Sequence, residues 1–230
     1  MSMDASDLPQ PGEPLSRTPR HVGLIPDGNR RWAAARGLRR GAGYEAGIGP
    51  GLRLLQVCRQ LGIEEVSIYG FTKENTRRPA GQVDAFRTAC VSFAKGALEQ
   101  GAALLVVGDA ASKIFPEELR PWTDARSPGD VRVNLLANYG WHWDLHSARA
   151  RQARTPVRPA TMFGALASRD VSRIDLVIRW GGRRRLSGFL PLQSAYADFY
   201  IIDSLWPDMR IDEFRGALAW YQEQDVTLGG

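Results

Sequence analysis

From residue 21 onward, short apolar runs alternate with stretches whose apolar residues recur every three or four positions. Residues 21–25, 66–71, 103–107, 131–137, 175–179 and 199–202 read as strands. Ile48, Leu52, Leu55 and Cys58 share one face of a helix expected over 44–61, and Val83, Phe86, Cys90, Phe93 and Ala97 repeat the pattern over 83–100. A last helix is expected over 211–223. Near-continuous apolar strands separated by helices predict a parallel sheet covered on both faces, in one α/β domain over 21–230. Four prolines and few large apolar residues make 1–20 a mobile tail. The Arg-rich stretch 147–158 reads as a solvated connection.

In open parallel sheets, ligands gather beyond the carboxyl ends of the strands. After the first strand comes Pro26-Asp27-Gly28-Asn29-Arg30-Arg31-Trp32, with Arg36, Arg39 and Arg40 close behind. A glycine and small polar residues where a strand turns into a helix expose N–H groups at a positive helix terminus, a ready site for diphosphate. Asp27 is an odd choice for bare phosphate and a sensible one for holding Mg²⁺ against phosphate oxygens. The plainer alternative is a helix start capped by Asp27 or Asn29. Phe71-Thr72-Lys73-Glu74-Asn75-Thr76-Arg77-Arg78 is again polar and basic at a strand end. So is Arg179-Trp180-Gly181-Gly182-Arg183-Arg184-Arg185-Leu186-Ser187, which carries four arginines in seven residues. Asp198, next to another expected strand, is a second candidate metal carboxylate. The stretch 41–47, with three glycines, mimics a dinucleotide loop, but its spacing is off by one and no strand precedes it.

Composition narrows these options. With 43% hydrophobic residues in 230, the chain can bury a sizeable core, which excludes disorder. The longest apolar run is six residues (102–107), against about 20 for a membrane helix, so a cytoplasmic protein without a stable membrane anchor is expected. Cys58 and Cys90 lie far apart on helical faces and read as buried small hydrophobes. Net charge is +5, yet only Lys73, Lys95 and Lys113 among the 30 basic residues are lysines. The 27 arginines reflect either coding bias or bidentate phosphate recognition. They cluster beside acids at strand ends rather than along a stripe with interleaved aromatics, which argues against nucleic acid as partner.

The segments HVGLIPDGNRRWA (21–33), FTKENTRRP (71–79), ANYG (137–140) and 175–207 together resemble the cis-prenyltransferases, the undecaprenyl diphosphate synthase family, over about 21–221. The resemblance implies a mostly parallel six-stranded sheet, a homodimer, Mg²⁺, and condensation of prenyl diphosphates. It implies Asp27 and Asp198 as metal ligands, the latter where the family usually has glutamate. Gly28, Asn29, Arg30, Arg31, Trp32 and Arg40 would cradle the allylic diphosphate. Asn75 and Arg78 would act near the leaving group, and Arg179, Arg185 and Ser187 would hold the acceptor diphosphate.

The departures concentrate on the acceptor side. Tyr44 stands for a histidine, Thr76 for a tryptophan, Trp180 for a small residue, Arg183 for a glutamate, Gly188 for an asparagine and Leu192 for a tryptophan, and the 224–230 tail lacks the usual arginines. The second helix looks about one turn, or about 5 Å, shorter than in long-chain relatives and carries Phe86 and Phe93. Within the family the pattern is most similar to the cyclolavandulyl diphosphate synthases, which join two dimethylallyl diphosphates head-to-middle and close a ring. Trp180 and Phe71 would then shield the cation, with Tyr44, Thr72, Glu74 and Asn75 in the substrate site. The alternatives are a regular short-chain enzyme using isopentenyl diphosphate and a non-catalytic partner subunit.

Overall fold

The computed structural model describes residues 15–151 and 163–225. Most of the proline-rich tail, the far end of the Arg-rich stretch and the last five residues lie outside the described residues.

Six strands, β1 (His21–Ile25), β2 (Glu65–Thr72), β3 (Ala103–Val107), β4 (Arg132–Tyr139), β5 (Leu176–Arg179) and β6 (Asp198–Ile201), form one sheet in the order β3-β4-β2-β1-β5-β6. Every pairing is parallel, where mostly parallel was expected. From β1 the chain passes to β2 beside it, then to the edge at β3 and back to β4 between them, before crossing to β5 and β6 on the other side of β1. The reversal at β1 opens a crevice beyond the carboxyl ends of β1, β2 and β5.

Because strand side chains alternate, the sheet serves two cores. Val22, Leu24, Ile68, Leu135 and Ile178 face α3 (Ile48–Gln60) and α4 (Ala80–Glu99), which contribute Leu54, Leu55, Cys58, Phe86, Cys90 and Phe93. Ile25, Val107, Leu136 and Val177 pack with Tyr139 and Phe189 on the other face. Fully burying a side chain of this size is worth about 1.5–3 kcal/mol. Both cysteines are free and buried, and burial pushes the Cys90 thiol up to about 12. Among the described residues, no helix is long and apolar enough to cross a membrane.

Two expected elements differ. The helix expected over 44–61 is two helices, α2 (Ala42–Ala46) and α3, meeting at Gly47. A Cβ at Gly47 would lie 2.7 Å from Trp206 Cδ1, and one at Gly43 would lie 1.9 Å from the Asn29 carbonyl oxygen. These glycines let α1 (Asn29–Ala35), α2 and Trp206 approach closely, which explains the glycine-rich stretch without a nucleotide. The 147–158 connection is corrected by α5 (Trp141–Arg151), which includes its first residues. Here the buried anchor is polar: Asp144 accepts from Ser168 Oγ (2.6 Å), Ser168 N (3.1 Å) and Tyr139 Oη (3.1 Å).

The opposite pole of the sheet holds a buried polar cluster. Glu65 accepts from Asn134 Nδ2 at 2.6 Å and Ser172 Oγ at 2.7 Å and pairs with Arg132 at 3.1 Å; His21 Nε2 and Ser67 Oγ are 2.9 Å apart. Burial holds the His21 imidazole below its ordinary value and so neutral. Burial alone would raise Glu65, but the hydrogen bonds from Asn134 and Ser172 and the charge of Arg132 hold the carboxyl below its ordinary range. Both shifts act in one direction. A neutral buried His21 costs nothing above its ordinary 6.5 and opposes folding once pH falls below it, while an ionised Glu65 favours folding until pH falls from 4.5 through its lowered value. Denaturant unfolding at stepped pH should therefore show stability falling between pH 6.5 and 5, at no more than about 1.4 kcal/mol per unit per proton. A stability independent of pH in that window would contradict a neutral His21.

Candidate active site

Beyond the carboxyl ends of the strands lies a cavity of about 820 Å³. Its floor is set by register. Ile25 pairs with Arg179, so the residue after Pro26 and the last residue of β5 meet across two neighbouring strands. Asp27 Oδ2 accepts from Arg179 Nη2 at 2.7 Å, and Oδ1 accepts from the Gly28 N–H at 2.6 Å. Gly28 at φ +104 turns the chain into α1, and a Cβ there would lie 2.7 Å from Leu205 Cδ2. Arg31 stands 3.7 Å from Asp27 and donates to the Gly181 carbonyl at 2.8 Å. The Arg179 side chain, only 5% exposed, also donates from Nη1 to Ser187 Oγ at 2.9 Å and to the Arg185 carbonyl. One guanidinium thus ties the β1 turn to the 181–188 loop.

On the far wall, the Thr72 side chain accepts from Asn75 N at 3.2 Å and caps the turn Lys73–Arg77. Arg78 donates to Tyr44 Oη at 3.1 Å and lies 5.1 Å from the Phe86 ring centre; the Tyr44 and Phe86 rings stack at 3.8 Å. Burial raises the Tyr44 hydroxyl against the opposing pull of Arg78, Arg30 and Arg40, and burial also raises Tyr69, whose hydroxyl donates to the Ser187 carbonyl at 3.1 Å. Seven arginines (30, 31, 40, 78, 179, 183 and 185) face only two carboxylates, Asp27 and Glu74, around this cavity. That balance suits ligands carrying several negative charges, with bidentate groups to hold them. Behind Tyr44 and Phe86 is a smaller apolar cavity of about 60 Å³, bounded by Ile48, Cys90, Phe93 and Trp206.

The cavity gathers most of the expected residues: Asp27, Gly28, Asn29, Arg30, Arg31, Arg40, Tyr44, Thr72, Glu74, Asn75, Arg78, Arg179, Arg185 and Ser187. Four do not line it. Trp32 points away, donating to Asp208 at 2.6 Å under the Arg36 guanidinium. Phe71 is buried in the core, with its ring centre 6.1 Å from that of Phe86. Trp180 is fully buried edge-on against Trp206 at 4.8 Å, because strand alternation sends it to the face opposite Arg179. Its Nε1 has no hydrogen-bond partner. Asp198 begins β6 opposite Leu176, at the amino end of the sheet, where burial raises its carboxyl. Within one chain, Asp27 and Asp198 are therefore not brought together. Sequence reasoning missed Tyr69 and Trp141, and took Gly140 only as part of the ANYG segment without a place in the site. The last two directly follow β4, and the strand-end rule applied there would have found them.

No group of three or more potential metal-ligating His, Cys, Asp or Glu exists among the described residues. Asp27, a carboxylate set among arginines at the β1 turn, fits the way Mg²⁺ is held by one or two carboxylates together with substrate phosphates, rather than in an all-protein cage.

A family model described as putative undecaprenyl diphosphate synthase matches residues 25–229. The ditrans,polycis-undecaprenyl-diphosphate synthase ((2E,6E)-farnesyl-diphosphate specific) of Pseudomonas syringae pv. tomato is 36% identical over 93% of this chain and 92% of its own length. The enzyme of the same name from Escherichia coli K12 is 33% identical over 92% and 90%. Among solved structures, lavandulyl diphosphate synthase from Lavandula x intermedia, in complex with dimethylallyl diphosphate, superposes with a TM-score of 0.79 at 26% identity, covering 93% of this chain and 99% of that one.

A site of this charge should bind inorganic diphosphate. At about 100 times its dissociation constant, diphosphate should raise the unfolding free energy by about 2.7 kcal/mol, read as an upward shift in thermal melting. Arg179→Gln should lose most of that shift. A full shift in the variant would remove Arg179 from the anion site.

Proposed function

The chain belongs to the undecaprenyl diphosphate synthase family of cis-prenyltransferases, and on that premise we propose that it joins two dimethylallyl diphosphates head-to-middle and cyclises the product to cyclolavandulyl diphosphate. The observation that carries the reading is the size of the apolar cavity behind the Tyr44–Phe86 stack. About 60 Å³ leaves room for only a short apolar group. That suits one five-carbon unit and not the fifteen carbons of a farnesyl donor. The solved lavandulyl diphosphate synthase, with its bound dimethylallyl diphosphate, supports a five-carbon donor.

In this reading the donor diphosphate lies against Gly28, Asn29, Arg30, Arg31 and Arg40. Asp27 would hold Mg²⁺ there; the bound cation would add positive charge beside the leaving diphosphate. As the donor C–O bond breaks, its electron pair leaves with the diphosphate, and the arginines meet the growing negative charge. Preorganised groups of this kind are each worth about 10²–10³ in rate. Arg179, Arg185 and Ser187 hold the second diphosphate. The π-pair of its central double bond forms the new C–C bond, and the positive charge moves to the tertiary carbon of the acceptor. Loss of a proton from a neighbouring carbon to the released diphosphate neutralises that charge; return of the proton to one double bond of the open-chain product makes a new tertiary cation, the other double bond attacks it to close the ring, and loss of a proton from a carbon next to the resulting ring cation restores neutrality. Glu74, Asn75 and Tyr44 are the chain's own groups within the cavity that can relay it.

The same Arg179, Arg185 and Ser187 set suits isopentenyl diphosphate equally well, so the regular short-chain reaction is the second reading. An intact Asp27–Arg179 floor weighs against a non-catalytic subunit. We further propose a cytoplasmic homodimer, for which the half-buried edge strand β6, beside exposed Leu192 and Tyr196, offers a surface.

Purified protein with Mg²⁺ and dimethylallyl diphosphate alone should yield one ten-carbon diphosphate, identified by mass spectrometry and NMR as irregular and cyclic, and a chelator should stop turnover. Regular Z-configured products that form only after isopentenyl diphosphate is added would replace this reading with the second. Opening the apolar cavity gives an independent check. Phe86→Ala, at about 3 kcal/mol in stability, should improve kcat/KM for geranyl relative to dimethylallyl diphosphate by about 10-fold or more. An unchanged ratio would mean that Phe86 does not set donor length.

A further inference from the structure

A cavity lined by seven arginines suits diphosphates and is hostile to a carbocation. The aromatic surface that would offset this is scarce. Tyr44, Tyr69 and Phe86 line the cavity but are 5%, 6% and 8% exposed, and Trp180 faces the other way. Trp141 is the exception. It follows Gly140 at the end of β4, opens α5, lines the cavity and is 37% exposed, with its indole stacked on His142 at 3.5 Å.

Its position depends on Gly188. That residue sits at φ +75, and a Cβ built on it would lie 2.7 Å from Trp141 Cδ1, so any side chain at 188 must displace the indole. Gly188 immediately follows Ser187, and the two residues continue the loop that Arg179 anchors. The open indole therefore stands beside the groups assigned above to the second diphosphate.

We propose that Trp141, given room by Gly188, is the aromatic wall of the acceptor half of the cavity: it covers the prenyl tail of the second substrate and keeps water from the carbocation. This rests on the prenyl-coupling function proposed above, but not on which acceptor is used. Once the donor C–O bond has broken, two nucleophiles compete for the cation. The acceptor double bond gives coupled diphosphate; water gives the allylic alcohol and a proton. Tryptophan is the aromatic face best suited to a cation, and an attraction of the usual size changes that competition by about 2- to 30-fold.

The test uses Trp141→Phe, Trp141→Leu and Gly188→Asn in the full chain, asparagine being chosen because it tolerates positive φ better than other side chains. Each is assayed with whichever acceptor the wild type couples, for the ratio of allylic alcohol to coupled product. Trp141→Leu and Gly188→Asn should raise that ratio by about 2- to 30-fold, and Trp141→Phe should stay near wild type. Adding Gly188→Asn to Trp141→Leu should raise it no further, since both remove one wall. A binding arm is independent of turnover: calorimetric titration with dimethylallyl thiolodiphosphate and with inorganic diphosphate. The extra affinity contributed by the prenyl tail should shrink in Trp141→Leu, while diphosphate affinity stays within about 2-fold. If the wild type couples nothing, the proposed function fails and the titration alone decides on Trp141. Wild-type ratios and tail affinity in Trp141→Leu, or additive effects in the double variant, would overturn the proposal.

Discussion

The Asp27–Arg179 ion pair is the interaction on which the site depends. It exists because β1 and β5 are neighbours in parallel register, so their carboxyl ends deliver an acid and a base to the same height. A guanidinium that is 5% exposed must be compensated, since an unpaired buried charge is expensive. Arg179 meets that demand with Asp27, Ser187 and the Arg185 carbonyl, and in doing so fixes two segments far apart in sequence. Arg31 extends the tie to Gly181. The geometry of both proposed diphosphate sites follows from one buried charge seeking partners.

The two poles of the sheet divide the work. At the carboxyl pole the cavity is cationic and open to ligand. At the amino pole the polar groups are buried and satisfied among themselves, as Glu65, His21, Ser67 and Asn134 illustrate. Glycines serve the first pole by close approach. Gly43 and Gly47 bring α1, α2 and Trp206 together behind Asp27, and Gly28 and Gly188 supply positive φ where the chain must turn or leave space. The stack of Tyr44 on Phe86, held by Arg78, then separates the charged cavity from the small apolar one. Together they make a site with much room for phosphate and little for hydrocarbon.

Most of this was legible in the sequence because strand ends and clustered arginines carry local signals. The turn after β1 and the loop after β5 announce themselves by glycine, acid and arginine in series. Three placements follow from strand geometry rather than from a local signal. A residue that precedes a strand lies at its amino end, which removes Asp198 from the Asp27 site within one chain. Neighbours on a strand face opposite ways, which sends Trp180 behind Arg179. The rule that ligands gather after strands also applied to β4 and would have flagged Trp141. Helix α5 was different in kind: Asp144 anchors it through hydrogen bonds, so apolar periodicity had little to reveal. The split at Gly47 was also hidden, since it depends on Trp206 arriving from far along the chain.

In the proposed reaction two five-carbon allylic diphosphates are consumed and the diphosphate of only one is released. Its most direct test is stoichiometric. With Mg²⁺ and dimethylallyl diphosphate as sole substrate, one inorganic diphosphate should be released for every two dimethylallyl diphosphates consumed. One released for each one consumed, as in simple hydrolysis, or no consumption until isopentenyl diphosphate is added, would contradict it.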